Sequence, residues 1–297
     1  MSTKLPMTYI YEFGDISADH RRFILAEFAA NGIRNLVFTD EWIARIMQTP
    51  TLADELQKDM DSFGLTFMDA HAPFSPKLDL NCPFPEYRKQ MIARQNLSLA
   101  ITADMGVKVI VIHVGNTNIP ETAALPLEKH HDNICRALDA ILPQAEDLGV
   151  TVAIENIWFM TNTPEFLWEI KNKFPTDALG FCYDSGHANL MSKGHLYPDG
   201  AANRAWRSYA GIEPRWDDQI LEKLLPEIVC CHLHDNDGSV DQHRMPGKGN
   251  IDWQHILPVL KTAPKLQSVQ SEVLCKHSLQ PISETCRAFR ERIDFAE

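Results

Sequence analysis

The chain has 297 residues, 44% of them hydrophobic, and carries a formal net charge of −12. This length and hydrophobic fraction support a large buried core and argue against intrinsic disorder. The acidic balance argues against a protein whose main task is to bind nucleic acid, because that task needs clustered Lys and Arg.

Short hydrophobic segments of strand length recur along the chain, and segments with helical periodicity lie between them. The eight predicted strands are 8–13, 33–39, 65–71, 107–114, 150–155, 178–184, 227–234 and 266–273. The clearest amphipathic segments between them are 19–31, 86–105, 128–148 and 217–225. Gly32, Gly64, Gly106 and Gly149 each stand just before the next strand, where a helix C-cap is expected. This repeated order of helix, glycine and strand predicts an α/β fold, a closed (β/α)8 TIM barrel.

An open, doubly wound sheet is the alternative architecture. Such a sheet normally carries a Gly-rich phosphate loop after its first strand, and the segment GDISADH at 14–20 has none. Because no linker or repeat marks a second domain, we expect residues 1–297 to form a single domain. The segment 185–216 is richer in Gly, Pro, Trp and Arg than a simple crossover needs. We expect an extended loop there that covers the barrel mouth or contacts a partner subunit.

The cysteines and the hydrophobic segments indicate the cellular location. Of seven cysteines, Cys182, Cys230 and Cys231 lie inside hydrophobic strands, which is typical of buried thiols in a reducing compartment. The longest hydrophobic segments are far shorter than the ~20 residues that a membrane span needs. The N-terminal segment MSTKLPMTYIYEF lacks the pattern of a signal peptide. We therefore expect a cytoplasmic protein without a membrane partner.

Acidic and histidine residues stand at the C-terminal ends of five predicted strands. A buried carboxylate or imidazole has a desolvation cost that packing alone does not offset. In a TIM barrel, this end of the strands carries the active site. The pattern therefore predicts one site assembled from many strands. The strand-end residues are His113, Glu155, Asp184 with His187, His232 with His234 and Asp235, and Glu272.

Four of these side chains should face a common centre: Glu155, Asp184, one of His232 or His234, and Glu272. Three carboxylates in a pocket of low dielectric constant repel one another unless a cation neutralises them. Three oxygen ligands and one nitrogen ligand suit Mn²⁺, Mg²⁺, Co²⁺ or Zn²⁺, with Mn²⁺ as our first expectation. The alternative is that each residue is an ordinary strand-end group bonded to backbone.

Several motifs resemble those of a known superfamily. They are VAIEN at 152–156, YDSGHAN at 183–189, HLHDND at 232–237, MPGKGNIDW at 245–253 and SEV at 271–273. They resemble the xylose isomerase-like superfamily of sugar isomerases and epimerases, which includes ketose 3-epimerases, inosose-processing enzymes and endonuclease IV. The resemblance covers about residues 65–275. It implies a TIM barrel with one catalytic metal bound by Glu155, Asp184, His232 or His234, and Glu272.

The choice between the two histidines stays open on the sequence. Family members usually show His-x-x-Asp at this strand end, and both His232–Asp235 and His234–Asp237 fit it. We prefer His232, because HLHD better matches the common form.

The resemblance also implies a reaction. In the ketose epimerases, one glutamate removes the proton next to a carbonyl and another returns it from the opposite face, through an enediolate. Here Glu155 and Glu272 would fill both catalytic roles, and His187 would bind a substrate hydroxyl or the enolate oxygen. The expected substrate is a ketose, keto-polyol or keto-glycoside, and relatives are often dimers or tetramers. A lyase that eliminates a β-substituent after the same proton abstraction is the alternative.

Four further residues match positions that hold extra zinc ions in endonuclease IV: His71, His113, Asp241 and His243. The segment before Asp241 is shorter than in that enzyme and the acidic charge does not suit DNA, so an abasic-site nuclease is the third alternative. We expect these four residues to contact substrate or to orient the metal ligands. Lys248, in the loop PGKG, either meets an anionic or hydroxyl group of the substrate or is solvated.

Overall fold

Eight parallel strands close into a barrel in which sequence order is also spatial order. The computed structural model describes residues 6–115, 120–123 and 125–293. The strands are β1 (Met7–Tyr9), β2 (Asn35–Phe38), β3 (Thr66–His71), β4 (Val109–Ile112), β5 (Thr151–Glu155), β6 (Leu179–Asp184), β7 (Ile228–Leu233) and β8 (Ser268–Ser271). Strand β8 pairs with β1 and closes the ring. The predicted TIM barrel is confirmed.

Helices follow the strands. The helices are α1 (Ala18–Ala30), α2 (Asp40–Gln48), α3 (Leu52–Phe63), α4 (Pro85–Asp104), α5 (Pro120–Ala123), α6 (Leu127–Leu148), α7 (Pro164–Lys173), α8 (Ser185–Lys193), α9 (Ala201–Asn203), α10 (Ile220–Leu224), α11 (Trp253–Leu260) and α12 (Ile282–Arg292). Gly64 and Gly149 end α3 and α6 with φ of 65° and 61°, a left-handed conformation that favours glycine. These caps turn the chain directly into the next strand.

Strand β1 is shorter than predicted and ends at Tyr9 rather than residue 13. One further ladder bond follows it, from the Ile10 amide to the Ser271 carbonyl at 3.1 Å. The next residues, Tyr11 and Glu12, leave the ladder and line a cavity at the barrel mouth. Their alternation of apolar and polar side chains resembles a strand in sequence, although the ladder with β2 ends at Tyr9 and the last bond to β8 is made by Ile10.

The segment 185–216 is largely helical, which corrects the prediction of an extended loop. It contains α8, a 3₁₀ turn (Gly194–Leu196), α9 and a π-helix (Arg204–Tyr209). Asp184 starts α8, since its carboxylate accepts a hydrogen bond from the His187 amide at 2.6 Å. Trp206 is buried, and its indole donates to the Trp158 carbonyl at 2.9 Å. The segment therefore packs against the loop that follows β5.

Hydrophobic side chains fill part of the barrel interior, including Val109 on β4 and Ala153 on β5. All seven cysteines are buried and free. In the described residues, no helix combines the length and hydrophobicity that crossing a bilayer requires.

Candidate functional site

A cavity of about 450 Å³ opens at the C-terminal end of the barrel strands. Seven of the predicted site residues line it: His71, His113, Glu155, His187, Asp241, His243 and Glu272. Phe74 and Trp158 add aromatic walls. These strand-end residues lie together because the C-terminal ends of parallel strands in a barrel all reach one face.

The four predicted metal ligands lie at the base of this cavity. Single donor atoms of Glu155, Asp184, His232 and Glu272 all lie within 4.8 Å of one another, and the four residues are buried. The His232 Nδ1 atom is 3.1 Å from Glu155 Oε1 and 3.3 Å from Glu272 Oε2. We call these four residues the tetrad. Parallel pairing sets their positions, since Asp184 and His232 are direct partners in the β6–β7 ladder.

The charges of the tetrad are balanced by imidazoles. Burial opposes ionisation of Glu155, but the His232, His113 and His187 imidazoles hold its pKa well below the ordinary value. Burial likewise opposes ionisation of Asp184, but His187 and other imidazoles lower its pKa to about 2. In turn, burial disfavours the charged form of His232, while Glu272 and Glu155 raise its pKa well above the usual range.

The tetrad fits a divalent cation. The Oε2 atoms of Glu155 and Glu272 are buried and have no hydrogen bond of good geometry, although imidazole nitrogens lie 3.2 and 3.3 Å from them. Such atoms have a high cost unless a cation or a proton donor meets them. Three carboxylates and one imidazole are donors that Mn²⁺, Mg²⁺, Co²⁺ and Zn²⁺ accept. These buried clusters of acidic and histidine residues can therefore hold a metal ion.

Both candidate histidines of strand β7 reach the site. His234 follows His232 by two residues, and the two-residue period of a strand points both side chains inward. The His234 Nε2 atom is 3.1 Å from Asp184 Oδ2, and its ring stacks on His243 with centroids 4.1 Å apart. The sequence posed the two residues as alternatives, whereas the structure places His232 in the tetrad and His234 beside it.

A second group of donors consists of His71, His113 and Glu155. The His71 Nδ1–H donates to the Ala72 carbonyl at 3.0 Å, which leaves the lone pair on Nε2. That Nε2 is 3.1 Å from the His113 Nε2, which lies 3.2 Å from Glu155 Oε2. Burial, and then the neighbouring His113, lower the pKa of His71 to about 3. Because the three donor atoms lie within 4.8 Å of one another, this group is a second place where a cation fits.

A third group joins His187, Asp241 and His243. Asp241 Oδ2 is 2.8 Å from His243 Nε2 and 3.4 Å from His187 Nε2. The His243 Nδ1–H donates to the Glu272 carbonyl at 2.9 Å. Burial opposes protonation of His243, but Asp241 raises its pKa to about 9. His243 has a φ of 46°, a left-handed conformation that is uncommon for histidine and is concentrated at functional sites.

Lys248 is not brought to the cavity. It lies exposed on the turn that follows the β7 loop, and it is not among the described residues that line the site. Asp235 explains this turn, because its Oδ2 accepts from the Gly247 amide at 2.7 Å and from the Trp253 indole at 3.1 Å. Residues of the motif HLHDND…PGKGNIDW therefore stabilise a loop. Lys248 is exposed on that loop and does not line the cavity.

A polar floor lies under the tetrad. Asp69 on β3 accepts a hydrogen bond from the Ser268 hydroxyl at 2.8 Å across the barrel. Gln270 is a ladder partner of both His232 and Thr8. Both amide atoms of Gln270 and the Nε2 atom of His232 are buried without a hydrogen-bond partner in the structure. The inner side of His232 therefore faces polar groups.

Sequence reasoning missed one wall of the cavity. Glu12, Thr39, Asp40 and Glu41 line it on the side of β1 and β2. The strand-end pattern could have found Thr39 and Asp40, because they follow β2 directly. It also missed Asn156, whose side chain bonds both the Asp184 amide, at 2.8 Å, and the Asp184 carbonyl, at 3.0 Å, and so fixes the end of β6.

Comparisons with known proteins agree with this geometry. A family profile described as "Xylose isomerase-like TIM barrel" matches residues 25–272. An uncharacterised protein of Methanocaldococcus jannaschii, MJ1311, is 31% identical over 200 residues. The match covers 64% of this chain and 59% of that protein, so the chain spans about three fifths of that relative's length.

Solved structures share the fold over nearly the whole chain. A D-tagatose 3-epimerase-like protein has a TM-score of 0.73 and 21% identity, covering 97% of this chain and 96% of its own. The 3-keto-D-glucoside 4-epimerase YcjR from E. coli has a TM-score of 0.71 and 14% identity, covering 98% and 99%. IolI, solved with zinc, has a TM-score of 0.67 and 17% identity, covering 96% of each chain. At these identities the similarity establishes the fold alone.

Proposed function

Because the chain belongs to the xylose isomerase-like TIM-barrel family, we propose that it is a metal-dependent sugar isomerase or epimerase. Its substrate would be a ketose, keto-polyol or keto-glycoside. One observation carries the proposal: the donor atoms of Glu155, Asp184, His232 and Glu272 converge within 4.8 Å at the base of a cavity. The solved epimerases with the same fold support the reaction class.

The four side chains of the tetrad would hold one divalent ion, with Mn²⁺ preferred and Mg²⁺, Co²⁺ or Zn²⁺ as alternatives. When bound, such an ion polarises a substrate carbonyl and acidifies the adjacent C–H bond. The buried, free cysteines suit the reducing environment of the cytoplasm, where we place the enzyme. By analogy with its relatives we expect a dimer or tetramer.

Two carboxylates of the tetrad would move the proton. Glu155 ends β5 and Glu272 follows β8, so they approach the site from strands on different sides of the barrel. One would accept the proton from the carbon next to the carbonyl, and the electron pair would pass to the carbonyl oxygen. The other would return a proton to the opposite face of the same carbon. His187, 3.3 Å from Glu155 Oε1, would donate to a substrate hydroxyl or to the enediolate oxygen.

The decisive experiment measures exchange of the substrate proton with solvent. The protein would be loaded with Mn²⁺ in D₂O and mixed with a panel of ketoses and 3-keto-glucosides. We expect deuterium at the carbon next to the carbonyl and an isomeric product of otherwise unchanged composition. Release of water or of the glycoside's leaving group would instead identify a lyase, which shares the first proton abstraction. The absence of exchange with every metal and every sugar of the panel would refute the proposal.

A second candidate function is supported by two of the other donor groups at the site, His71–His113–Glu155 and His234–Asp241–His243. Sites with several metals hydrolyse phosphate esters, and endonuclease IV is the relevant resemblance. Metal analysis combined with cleavage of an abasic-site oligonucleotide separates the two functions. Three metal ions per chain with cleavage would establish a nuclease, whereas one ion without cleavage is expected of the isomerase.

A further inference from the structure

The hydroxyl of Thr39 does not cap the helix that it precedes. Thr39 is the N-cap residue of α2 and has the usual extended backbone, φ −73° and ψ 159°, yet its side chain makes no capping hydrogen bond. Threonine at this position normally accepts from the amides of the first helical turn. The residue is 2% exposed, and its Oγ1 atom is without a hydrogen-bond partner in the structure. A buried hydroxyl left this way costs ~1–3 kcal/mol, so it requires an explanation.

The position of Thr39 supplies that explanation. It lines the same cavity as the tetrad, together with Asp40, the first residue of α2. These residues follow β2, and in an eight-stranded barrel β2 stands opposite β6, which carries Asp184. A substrate held at the tetrad therefore extends toward Thr39 and Asp40 at its other end.

The neighbouring acidic residues are occupied with other contacts. Glu41 accepts a hydrogen bond from the Gly14 amide at 2.6 Å. Glu12 accepts from the amides of Lys276 and His277 at 3.1 and 2.7 Å. Both carboxylates thus hold loops of the cavity rim in place. The Asp40 carboxylate bonds backbone amides at the start of its own helix, and the Thr39 hydroxyl has no partner in the structure, so these two residues can face a ligand.

The charge of the cavity indicates which ligand fits. Among the described residues that line it, none is Lys or Arg, and Asp40 and Glu41 lie on the wall formed by α2. A phosphate at this end of a substrate would meet carboxylates without a neutralising cation. A sugar hydroxyl can donate to the Asp40 carboxylate, while a neighbouring hydroxyl bonds Thr39 Oγ1.

We propose that Thr39 and Asp40 form a subsite that binds the hydroxyl groups of an uncharged sugar at the end remote from the tetrad. Asp40 also rejects sugars that carry a phosphate there. This inference rests on the proposed function, since it assigns the substrate class of the same cavity.

The test uses the full-length, metal-loaded protein with D-tagatose, D-fructose and the 6-phosphate of each. Thr39→Val removes the hydroxyl and keeps the shape of the side chain. We expect it to raise the dissociation constant and KM for the neutral sugar by about 3- to 10-fold, with kcat within 3-fold, as loss of one hydrogen bond predicts. Asp40→Asn should reduce the preference for the neutral sugar over its 6-phosphate by about 10-fold or more.

Thr102→Val is the matched control. Thr102 lies on α4, is fully buried and also carries an unpartnered hydroxyl, but it does not line the cavity. Equal dissociation constants for Thr39→Val and Thr102→Val, or an unchanged preference in Asp40→Asn, would overturn the subsite. The subsite would also be overturned if isothermal titration showed that the wild-type protein binds none of the neutral sugars. A wild-type protein that binds a neutral sugar without turning it over would refute the proposed reaction, and the dissociation constant of Thr39→Val would still decide the subsite.

Discussion

Replacing Glu155 or Glu272 by glutamine tests the two-base mechanism directly. Glutamine keeps the size and a hydrogen-bonding oxygen of each side chain but cannot accept a proton. A positioned general base contributes about 10²- to 10⁴-fold to a rate, and Glu272→Gln should fall in that range. Glu155 also belongs to three of the groups of side chains that could bind a metal, whereas Glu272 belongs only to the tetrad. We therefore expect Glu155→Gln to lose at least about 10⁴-fold in kcat/KM.

The assay must separate loss of a base from loss of the metal. Initial rates would be measured at rising Mn²⁺ until they no longer change, beside deuterium exchange into substrate and product. Asp184→Asn is the control, because Asp184 belongs to the tetrad but has no assigned proton transfer, so added Mn²⁺ should restore much of its activity. One glutamine variant should still exchange the substrate proton while forming almost no product. Thermal unfolding would verify that each variant folds.

The two-base mechanism would be wrong if either glutamine variant kept kcat/KM within about tenfold of wild type at saturating Mn²⁺. It would also be wrong if both variants lost exchange and product formation to the same extent that Asp184→Asn does, and regained them with metal. That result would show that Glu155 and Glu272 bind the metal but do not transfer the proton.

Three further outcomes follow from the site. Mn²⁺ at 100 times its dissociation constant should add about 2.7 kcal/mol to the free energy of unfolding and raise Tm by roughly 4 °C over the chelator-treated protein, as calorimetry can test. Since the pKa of His243 is raised from 6.5 to about 9, its protonated form stabilises the folded protein fully below pH 6.5. This contribution is lost as the pH rises through 9. Metal binding at the tetrad at about pH 7.5 should release the proton that Glu272 and Glu155 favour on His232, whose pKa they raise well above the usual range, and titration heats that do not depend on the buffer would contradict this. Gln270→Leu, which removes the amide of the residue that pairs with His232 in the β7–β8 ladder, should weaken Mn²⁺ binding by about 10- to 100-fold in a chelator competition, whereas Val109→Ala in the apolar part of the interior should not.

Much of the fold could be predicted because its local chemistry repeats. All eight strands occur where hydrophobic runs predicted them, and α3 and α6 end at the predicted glycines. The exceptions have physical causes. Strand β1 is shorter than predicted because the chain leaves the ladder after Ile10, where Tyr11 and Glu12 line the cavity. The segment 185–216 forms helices because Asp184 caps α8 and Trp206 is buried, contacts that depend on tertiary structure. The single-domain organisation stays a prediction.

The sequence indicates which strand ends contribute to the candidate site, but it does not give the distances between their side chains. Periodicity indicates that His232 and His234 share one face of β7, yet only the packing places His232 against Glu155 and Glu272. Thr39 escaped notice because a threonine before a helix is ordinarily a cap. The exposed turn of Lys248 is fixed by Asp235, a contact between segments twelve residues apart that no local pattern contains.

The electrostatic balance of the cavity favours one metal and a neutral substrate over three metals and a phosphate ester. Four carboxylates take part: Glu155, Asp184, Asp241 and Glu272. His232 is neutral when it binds the ion, and the carboxylates around His187 and His243 raise the pKa of both, so two imidazolium groups leave a net charge of −2, which one divalent ion cancels. Three divalent ions with neutral histidines would instead leave the cavity at +2 and attract an anion. The wall opposite, with Asp40 and Glu41 and no lysine or arginine among the lining residues described, offers such an anion no counter-charge. This charge balance therefore supports the isomerase or epimerase that we propose, and the number of metal ions bound at neutral pH is the quantity that tests it.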